Sequence, residues 1–546
     1  MILNKSQQNA FEKIMELKNS HKPEAILLYG ITGSGKTAVF LKAIKEVLKN
    51  GENAIMMVPE ISLTAQTIAK FHNYFGKSVA IMHSGLSASQ RVDEWKRIKR
   101  GDAKIVIGTR SAIFAPFEKV GIIVIDEEQE HSYKSDKSPR FHARDLAKFR
   151  CVKDNGILIM ASATPDIETF YHAQNGKYHL ITLHGRYNMA NLPETEIIDM
   201  RGQKRFSQNG LSDELLFEIE KNIKNNEQTI ILNNRRGFNT TVTCKQCGFV
   251  EICPNCSIAL TYHKPNESLM CHYCGYSKNS VTVCSVCGAD TIKYSGSGTQ
   301  TIENTLNELF PSARILRMDQ DTTMAKFSHD KFFKEFSDKK YDILVGTQMV
   351  AKGLNFPDVT LVGVLGADKG IFSGDFKGAE KTFSLITQVV GRAGRGEKSG
   401  RALIQTTDPD NYVITYGCKQ DYNSFYEEEI AVRKLLLYPP FCDICTIGFS
   451  AIDENITSKT ANSFSNSLKQ KVLNKYKNIP IKILGPSKTT IYKINNKYRQ
   501  KIIIKCKNNH IFKSLIMEVL TEFYSNADFK LKKVSIIVDF SSDLSF

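Results

Sequence analysis

The sequence lacks any apolar run long enough to cross a membrane. A spanning helix needs roughly 18 or more consecutive apolar residues, and every apolar stretch of this chain is shorter. The first residues also lack the apolar core and the small-residue cleavage site of a signal peptide. We therefore expect the protein to act in the cytoplasm. Tryptophan is nearly absent as well, and we expect the single one, Trp95, to pack on a helix.

Acidic residues are too few to balance the basic ones. The chain of 546 residues has 73 lysines and arginines against 57 aspartates and glutamates, which gives a formal net charge of +16. An excess of this size is typical of proteins that bind nucleic acid, although a lysine-rich solvated surface would give the same total. The length exceeds that of one hydrophobic core and predicts three or four domains.

Apolar, β-branched runs of strand length recur along the chain, separated by helix-like or loop sequence. Continuous runs of this kind are typical of parallel sheets that are covered on both faces. They form two groups, which we interpret as two α/β lobes. The runs occupy 25–30, 54–59, 104–109, 121–126 and 156–164 in the first group and 229–236, 313–319, 342–348, 359–366 and 400–408 in the second.

The composition changes at two further places. A run rich in cysteine, glycine, asparagine and serine interrupts the second lobe, and paired prolines precede a last segment of mixed strands and helices without a catalytic motif. We therefore predict an α/β fold with two parallel-sheet lobes, a cysteine-rich insertion in lobe two and a small α+β C-terminal domain. The expected bounds are 1–190 for lobe one, 191–242 and 291–439 for lobe two, 243–290 for the insertion and 440–546 for the C-terminal domain.

The segment GITGSGKT at 30–37 fits a phosphate-binding loop. It follows a predicted strand and precedes a predicted helix, which is the context that the motif requires. Its glycines let backbone N–H groups close around phosphate oxygens, its lysine reaches the outer phosphates, and its threonine hydroxyl binds Mg²⁺. We expect ATP and Mg²⁺ as cofactors. The candidate nucleotide-binding residues are Gly30, Thr32, Gly33, Ser34, Gly35, Lys36 and Thr37.

Acidic and basic residues elsewhere complete a hydrolytic site. Asp126 and Glu127 end an apolar strand, where Asp126 would hold Mg²⁺ and Glu127 would orient or deprotonate the attacking water. In the second lobe, Gln388 would sense phosphate, and Arg392 and Arg395 would stabilise charge on the γ-phosphate unless they form a surface basic patch. A phosphate loop on one lobe and arginines on the other make hydrolysis depend on closure of the cleft between them.

Eight of the thirteen cysteines form four C-x-x-C pairs between residues 244 and 287. Paired thiolates suit two tetrahedral Zn²⁺ sites per chain, filled entirely by protein, and an iron–sulfur cluster is the alternative. Five residues separate the first two pairs and fourteen separate the next two, which favours nested sites. The predicted inner site is Cys253, Cys256, Cys271 and Cys274, and the predicted outer site is Cys244, Cys247, Cys284 and Cys287. A further pair, Cys442 and Cys445, lies in an apolar run and is expected to be structural.

The motifs resemble those of superfamily 2 helicases, and with the cysteine block they closely resemble the PriA family of replication-restart helicases (primosomal protein N′). The resemblance covers essentially the whole chain. It implies two RecA-like lobes and an ATP-dependent 3′-to-5′ DNA helicase that acts at stalled forks and D-loops. The implied partners are branched and single-stranded DNA, primosome proteins, the replicative helicase and its loader, and single-strand-binding protein. The motifs that carry it are LNKSQ, GITGSGKT, VPEISLTAQ, GTRSAIFAPF, DEEQ, SATP, LNNRRGF, GTQMVAKGLNFPDVTLV, DFKGAEKTF and QVVGRAGR.

The resemblance also assigns roles to single residues. Gln7 would read the adenine edge, and the SATP motif at 162–165 would couple hydrolysis to unwinding. Hydroxyl and amide side chains at strand ends suit phosphate contacts without base readout. The residues expected along the DNA track are Thr109, Arg110, Thr347 and Gln348.

The sequence departs from the family pattern at three places. The family usually carries an N-terminal domain that reads a 3′ end, whereas the ATP-binding lobe of this sequence starts at residue 1, so either this lineage lacks that domain or the sequence is truncated. Gln129 stands where the family commonly has histidine, and the following loop offers only Tyr133, Phe141 and His142 as aromatic residues. Two other functions stay open: a loading platform that keeps the fold but unwinds little, and a double-strand translocase or RNA helicase with the same engine.

Overall fold

The computed structural model of the chain shows two lobes with parallel sheets, an insertion in the second lobe and a C-terminal domain. The described residues are 3–185, 193–201, 210–234, 243–244, 246–255, 259–263, 268–271, 274–280, 282–290, 292–293, 299–318, 328–347, 350, 356, 358–372, 375–393, 399–525 and 533–540.

Lobe one is a seven-stranded parallel sheet between two layers of helices. Its strands are β1 (Glu24–Gly30), β2 (Asn53–Met57), β3 (Val79–Met82), β4 (Ile105–Gly108), β5 (Val120–Asp126), β6 (Ile157–Ser162) and β7 (His179–Leu183). Its helices are α1 (Lys5–Asn19), α2 (Lys36–Lys49), α3 (Ala65–Phe75), α4 (Ala88–Arg100), α5 (Ala143–Asp154) and α6 (Ile167–Gln174). The strand order is β3-β4-β2-β5-β6-β1-β7.

The strands of lobe one are buried on both faces of the sheet. Neighbouring residues of a strand face opposite sides, so each strand contributes to two hydrophobic cores. Along β6, Leu158 and Met160 contribute to one hydrophobic core, and Ile157 and Ile159 contribute to the other. The five strands predicted for this lobe are confirmed. Strands β3 and β7 were not predicted because they lie at the sheet edges and are only partly buried.

The remaining strands and helices belong to lobe two, the insertion and the C-terminal domain. The strands are β8 (Glu194–Asp199), β9 (Gln228–Asn233), β10 (Thr243–Cys244), β11 (Thr261–His263), β12 (Ser268–Met270), β13 (Ser277–Asn279), β14 (Ile292–Lys293), β15 (Ile315–Met318), β16 (Ile343–Gly346), β17 (Val359–Leu365), β18 (Arg401–Thr406), β19 (Asp443–Ala451), β20 (Lys482–Ile494), β21 (Lys497–Cys506) and β22 (Ser535–Asp539). The helices are α7 (Asp213–Lys224), α8 (Thr299–Leu309), α9 (Ser328–Ser337), α10 (Gly378–Val390), α11 (Tyr412–Lys419), α12 (Tyr422–Leu436), α13 (Glu454–Asn474) and α14 (His510–Ser525).

Lobe two and the C-terminal domain differ in sheet type. Lobe two has six parallel strands in the order β15-β16-β9-β17-β18-β8. The insertion lies between β9 and α8, and β10 pairs with β14, which brings its two ends together beside the sheet. The C-terminal domain is an antiparallel sheet, β20-β21-β19-β22, whose core includes residues of α13 and α14. The predicted fold class is confirmed.

Helix α12 follows lobe two in the chain and packs against both lobes. The ring of Phe425 stacks on that of Phe383 of α10 with centroids 4.2 Å apart, and Tyr426 meets Phe170 of α6 at 4.7 Å. The hydroxyl of Tyr422 donates a hydrogen bond to the carbonyl of Pro165 at 2.8 Å. This aromatic contact holds the two lobes together behind the cleft.

The structure answers two further predictions. Among the described residues, no helix has the length and apolarity that a membrane crossing requires. Trp95 lies on helix α4, as expected, but its side chain is 47% exposed rather than packed.

Candidate active site and zinc centre

The predicted phosphate loop joins β1 to α2 at the carboxyl edge of the first sheet. Gly33 and Gly35 have φ angles of 83° and 82°, a conformation that glycine adopts at no steric cost. Gly30 is closely packed, since a Cβ there would lie 2.9 Å from the Cβ of Leu183. The buried ammonium of Lys36 donates a hydrogen bond to the carbonyl of Gly30 at 2.6 Å. The lysine is therefore held against the loop.

Asp126 and Glu127 lie at the end of β5, beside this loop. Burial raises the pKa of Asp126 to about 7, with a further contribution from the charge of Glu127 and an opposing one from Lys36. Burial lowers the pKa of Lys36, against the attraction of Glu127 and Asp126. The ammonium and the two carboxylates are thus close enough for their charges to shift the pKa values of Lys36 and Asp126. A divalent cation at Asp126 would favour its charged form.

Four buried polar atoms between the phosphate loop and α10 have no hydrogen-bond partner among the described residues. They are Oγ1 of Thr32, Oγ of Ser34, Oγ1 of Thr387 and Oε1 of Gln388. Buried polar atoms are normally paired, so these fit a polar ligand. The lobes meet closely here, because a Cβ on Gly391 would lie 3.3 Å from Oγ1 of Thr32. The three hydroxyls can donate to the phosphates of a nucleotide bound between the lobes, and Oε1 of Gln388 can accept from a water or hydroxyl beside it.

Hydrogen bonds connect the acidic motif to the SATP motif within lobe one. The amide of Gln129 donates to Oε2 of Glu127 at 2.7 Å, and its oxygen accepts from the hydroxyl of Ser162 at 2.6 Å. The same hydroxyl accepts from the backbone N–H of Thr164 at 2.9 Å. Gln129 therefore bridges the two motifs.

The same chain of hydrogen bonds crosses to lobe two and closes into a ring. The hydroxyls of Thr164 and Ser384 lie 2.8 Å apart. The amide of Gln388, also on α10, donates to Ser384 and to Oε2 of Glu127, both at 3.5 Å. Glu127 and Thr164 of lobe one are thus joined to one helix of lobe two at two points.

Three of the other predicted nucleotide-site residues can be described. Gln7 caps α1 with Asn4, and its amide donates to the carbonyl of Ser34 at 3.0 Å, directly beneath the phosphate loop. Thr37 lies in the first turn of α2, directly after Lys36. Arg392 follows the end of α10, where its backbone N–H donates to Val389 at 2.9 Å. Arg395 lies outside the described residues.

The thiols of the predicted outer zinc site lie together. Sγ of Cys244 is 3.6 Å from Sγ of Cys287, and Sγ of Cys247 is 3.6 Å from Sγ of Cys284. All four sulfurs lie within 4.8 Å of one another. Four convergent thiolates form the donor set of a structural Zn²⁺ site. The first and last pairs of the block are therefore neighbours in space.

Three thiols of the predicted inner site also converge. Those of Cys253, Cys271 and Cys274 lie within 4.8 Å of one another, and Cys256, the fourth predicted ligand, lies outside the described residues. Three of the pairs form the same tight turn, in which the N–H of a glycine donates to the carbonyl of the first cysteine. These glycines, Gly248, Gly275 and Gly288, have φ angles of 76°, 80° and 71°.

Glu251 lies between the two sites and was missed at the sequence level. This buried carboxylate accepts from Lys278 at 2.6 Å and from the hydroxyl of Ser285 at 3.1 Å. It thereby ties β13 to the last cysteine turn. Of the other cysteines, Cys445 is buried and Cys442 half-buried, as expected of structural thiols.

Four family models match the chain in order. They are DEAD/DEAH box helicase over residues 4–172, the PriA DNA helicase Cys-rich region (CRR) domain over 253–278, the helicase conserved C-terminal domain over 287–397 and the primosomal protein N C-terminal domain over 434–540. Replication restart protein PriA of Chlamydia trachomatis is 39% identical over 523 residues, which cover 95% of this chain and 69% of that protein. The chain belongs to the PriA family.

A second PriA relative matches a comparable share of the chain. Replication restart protein PriA of Bacillus subtilis is 42% identical over 535 residues, which cover 98% of this chain and 66% of that protein. The chain spans about two thirds of the length of these relatives. Among solved structures, RecG bound to a three-way DNA junction is similar over 81% of this chain and 47% of its own, with a TM-score of 0.47 and 17% identity. Both lobes of this PriA-family chain are helicase domains.

Glu128, the second glutamate of the acidic motif, is buried and supports the fold. It accepts hydrogen bonds from Thr169 and Arg144 at 3.1 Å and from the N–H of Asp166 at 2.8 Å. Lys377 of lobe two donates to Asp166 at 2.9 Å. Burial opposes ionisation of Asp166, yet the charges of Lys377 and Arg144 hold the pKa of that carboxyl below its ordinary value. No spacing rule in the sequence marks this buried ion cluster across the lobes.

The loop after the acidic motif links the expected DNA track to the C-terminal domain. The guanidinium of Arg110 donates to the carbonyl of Lys134 at 2.6 Å. Tyr133 is buried, and its hydroxyl donates to the carbonyl of Asp126. Lys134 forms a buried ion pair at 2.7 Å with Asp539 of β22. The C-terminal sheet is therefore connected to the strand that ends in Asp126: Asp539 contacts Lys134, and the neighbouring Tyr133 contacts Asp126.

The expected DNA-track residues are only partly described. Thr109 follows β4 and is buried, and Thr347 follows β16 and is half-buried. Each lies at the carboxyl end of a parallel strand in its own lobe. In lobe one this is the sheet edge that also carries the phosphate loop. Gln348 lies outside the described residues.

Proposed function

We propose that this PriA-family chain is an ATP-dependent 3′-to-5′ DNA helicase that recognises stalled or branched replication forks and initiates primosome assembly in the cytoplasm. The observation that carries the proposal is the ring of hydrogen bonds that joins Glu127 of lobe one to Gln388 of lobe two. The ring closes only when the lobes are in contact, so it makes hydrolysis depend on their relative position. Motion of two lobes along a strand is the basis of translocation.

In this proposal each cleft residue has one task. Thr37 and Asp126 hold Mg²⁺, Glu127 orients the attacking water, and Gln388 reports the state of the nucleotide to lobe two. Arg392 and Arg395 stabilise the charge on the transferred phosphate. The nucleotide itself is held by Gln7, Gly30, Thr32, Gly33, Ser34, Gly35 and Lys36.

The rest of the chain binds DNA and partner proteins. Thr109, Arg110, Thr347 and Gln348 follow the DNA strand, and the four domains keep the bounds expected from the sequence. Two Zn²⁺ ions per chain stabilise the insertion, which would otherwise have too small a hydrophobic core. The partners are branched and single-stranded DNA, primosome proteins, the replicative helicase with its loader, and single-strand-binding protein.

Strand separation on tailed duplexes tests the proposal. The same duplex is prepared with a single-stranded 3′ tail, with a 5′ tail and as a fork. With ATP and Mg²⁺, we expect separation of the fork and of the 3′-tailed duplex but not of the 5′-tailed one. The Lys36→Ala variant, which lacks the phosphate contact, should separate none. Equal separation from both tails would contradict the direction, and hydrolysis without any separation would favour a loading platform.

A further inference from the structure

The only tryptophan of the chain lies in an open groove on lobe one. The groove has a volume of 430 Å³ and is lined by Trp95, Val92 and Arg91 of α4, His83 after β3 and Ser111 after β4. Trp95 is 47% exposed and Val92 is 50% exposed. Large apolar side chains that stay exposed together in a concave surface commonly mark a contact site.

The groove continues the line of the proposed DNA track. Strands β3 and β4 are adjacent and parallel, so that their carboxyl ends meet at one edge of the sheet. His83 follows the first of these ends, and Ser111 comes directly after Thr109 and Arg110 at the second. A strand that passes Thr109 and Arg110 therefore comes next to the groove, because Ser111 lines it together with Trp95.

The charge of α4 suits a polyanion. The helix carries five basic residues and two acidic ones. Arg97 is engaged by Glu94 at 2.9 Å, whereas the side chain of Arg91 is exposed and makes no ion pair with the described residues. A cation next to an exposed aromatic face is the combination that binds single-stranded nucleic acid, in which the base stacks and the phosphate is neutralised.

We propose that this groove binds an unpaired base of single-stranded DNA, stacked on the indole of Trp95, with Arg91 on a neighbouring phosphate. The proposal rests on the proposed function, which supplies the DNA. Stacking on one ring accepts any base, as a translocating enzyme requires. A duplex offers no free base face, and an apolar peptide would leave Arg91 without an anionic partner.

Because Trp95 is the only tryptophan, tryptophan emission that is excited at wavelengths beyond the tyrosine absorption reports on this groove alone. A thymidine oligonucleotide of about 15 nucleotides is titrated into the protein, with a blunt duplex of the same length as the comparison. Binding is followed in parallel by anisotropy of a labelled oligonucleotide. We expect the single strand to quench the tryptophan emission with the same midpoint as the anisotropy change, and the duplex to leave the emission unchanged.

Variants test the two side chains separately. Trp95→Ala should raise the Kd for the oligonucleotide about tenfold, the loss of one stacked base, and Trp95→Phe should restore most of the affinity. Arg91→Gln should reduce the slope of log Kd against log salt by about one contact. The matched control is Phe149→Ala on α5, an aromatic residue that is 70% exposed and outside the groove, which should bind DNA like the parent. Circular dichroism and thermal unfolding verify that each variant is folded.

Three outcomes overturn the proposal. Unchanged tryptophan emission at oligonucleotide concentrations that saturate the anisotropy would show that DNA binds elsewhere, and would leave the proposed function standing. Equal quenching by the blunt duplex would exclude an unpaired base as the occupant. If the parent protein binds no DNA at all by anisotropy, the proposed function fails together with the groove.

Discussion

Asp126 carries a charge that the folded chain disfavours when no cation is present. Its pKa rises from 3.8 to about 7 on folding, chiefly through burial. A raised pKa means that this group stabilises the fold fully below 3.8, and that the contribution is lost as the pH rises through about 7. We therefore predict that Asp126→Asn, without Mg²⁺, unfolds at a higher temperature than the parent above pH 7.

The pH dependence distinguishes this effect from a general one. The difference in Tm between Asp126→Asn and the parent should shrink as the pH falls below about 7 and vanish near 3.8. Thermal unfolding followed by circular dichroism measures it, and Asp93→Asn on the exposed face of α4 is the matched control. A difference in Tm that does not change with pH would contradict the assignment of the cost to the charge of Asp126.

Gln129 joins Glu127 to Ser162 through one amide group. In Gln129→Glu the donor is lost and a carboxylate faces Glu127, so we expect DNA-stimulated ATP turnover to fall about tenfold, equivalent to roughly 1.4 kcal/mol of barrier. Steady-state ATP hydrolysis with saturating DNA measures it. Gln174→Glu, the same change at an exposed position of α6, should behave as the parent. A parent-like rate in Gln129→Glu would exclude the ring from the hydrolytic step.

Single residues differ in how much of their role the sequence reveals. The phosphate loop and the acidic motif were recognisable because their chemistry requires fixed neighbours in the chain. Glu128 and Lys377 were not, because the partners that define them lie on other elements and in another lobe. Trp95 was assigned to a packed face because nothing in a helical pattern distinguishes an aromatic residue in a core from one in a surface groove.

Strand β22 is attached to lobe one by the ion pair of Lys134 and Asp539, which are 3% and 6% exposed. Removing one partner leaves a buried charge, at a cost of about 3–5 kcal/mol. We predict that Asp539→Asn lowers the Tm and also DNA-stimulated ATP turnover, since Lys134 adjoins Tyr133 and Tyr133 contacts the strand of Asp126. Glu518→Gln, which breaks the exposed pair with Lys475, should change neither. The link would be disproved if Asp539→Asn lost stability but kept full DNA stimulation.

The cysteine insertion has two metal sites in the proposal, and they should be separable. Removing Cys284 and Cys287 together as serines takes two ligands from the outer site and none from the inner one. We predict that this variant retains about one zinc per chain, and that ATP hydrolysis outlasts strand separation because the cleft lies elsewhere. Metal analysis of the purified protein measures the zinc content. Cys442→Ser, outside both sites, should retain the parent content, and loss of all zinc from the double variant would contradict nesting.

At the level of elements, the sequence was most informative where periodicity and spacing are strong. The long buried strands of both lobes and the nested cysteine pairs follow from apolar runs and from the residues between pairs. The short edge strands β3 and β7 and the packing of α12 against both lobes did not follow. Their positions depend on contacts between distant parts of the chain, such as Phe425 with Phe383 and Tyr426 with Phe170.

Across the whole molecule, the phosphate loop, the ring and the C-terminal sheet are connected by direct contacts. Glu127 reaches lobe two through Gln388, and the loop after the acidic motif reaches β22 through Lys134. DNA bound along the carboxyl ends of the strands, next to Arg110, would thus lie beside the loop of Tyr133 and Lys134. Tyr133 of this loop contacts the strand that ends in Asp126. The net charge of +16 favours such binding through phosphate contacts, with an affinity that falls as salt rises.

The central claim is that DNA stimulates ATP hydrolysis at one site, which residues of both lobes form. The measurement that tests it most directly is the steady-state rate of ATP hydrolysis by the purified full chain with and without single-stranded DNA, at fixed Mg²⁺ and salt. We predict a rate that rises with DNA to a plateau and that is abolished by Lys36→Ala. A rate that is the same with and without DNA, or that survives Lys36→Ala, would contradict the account.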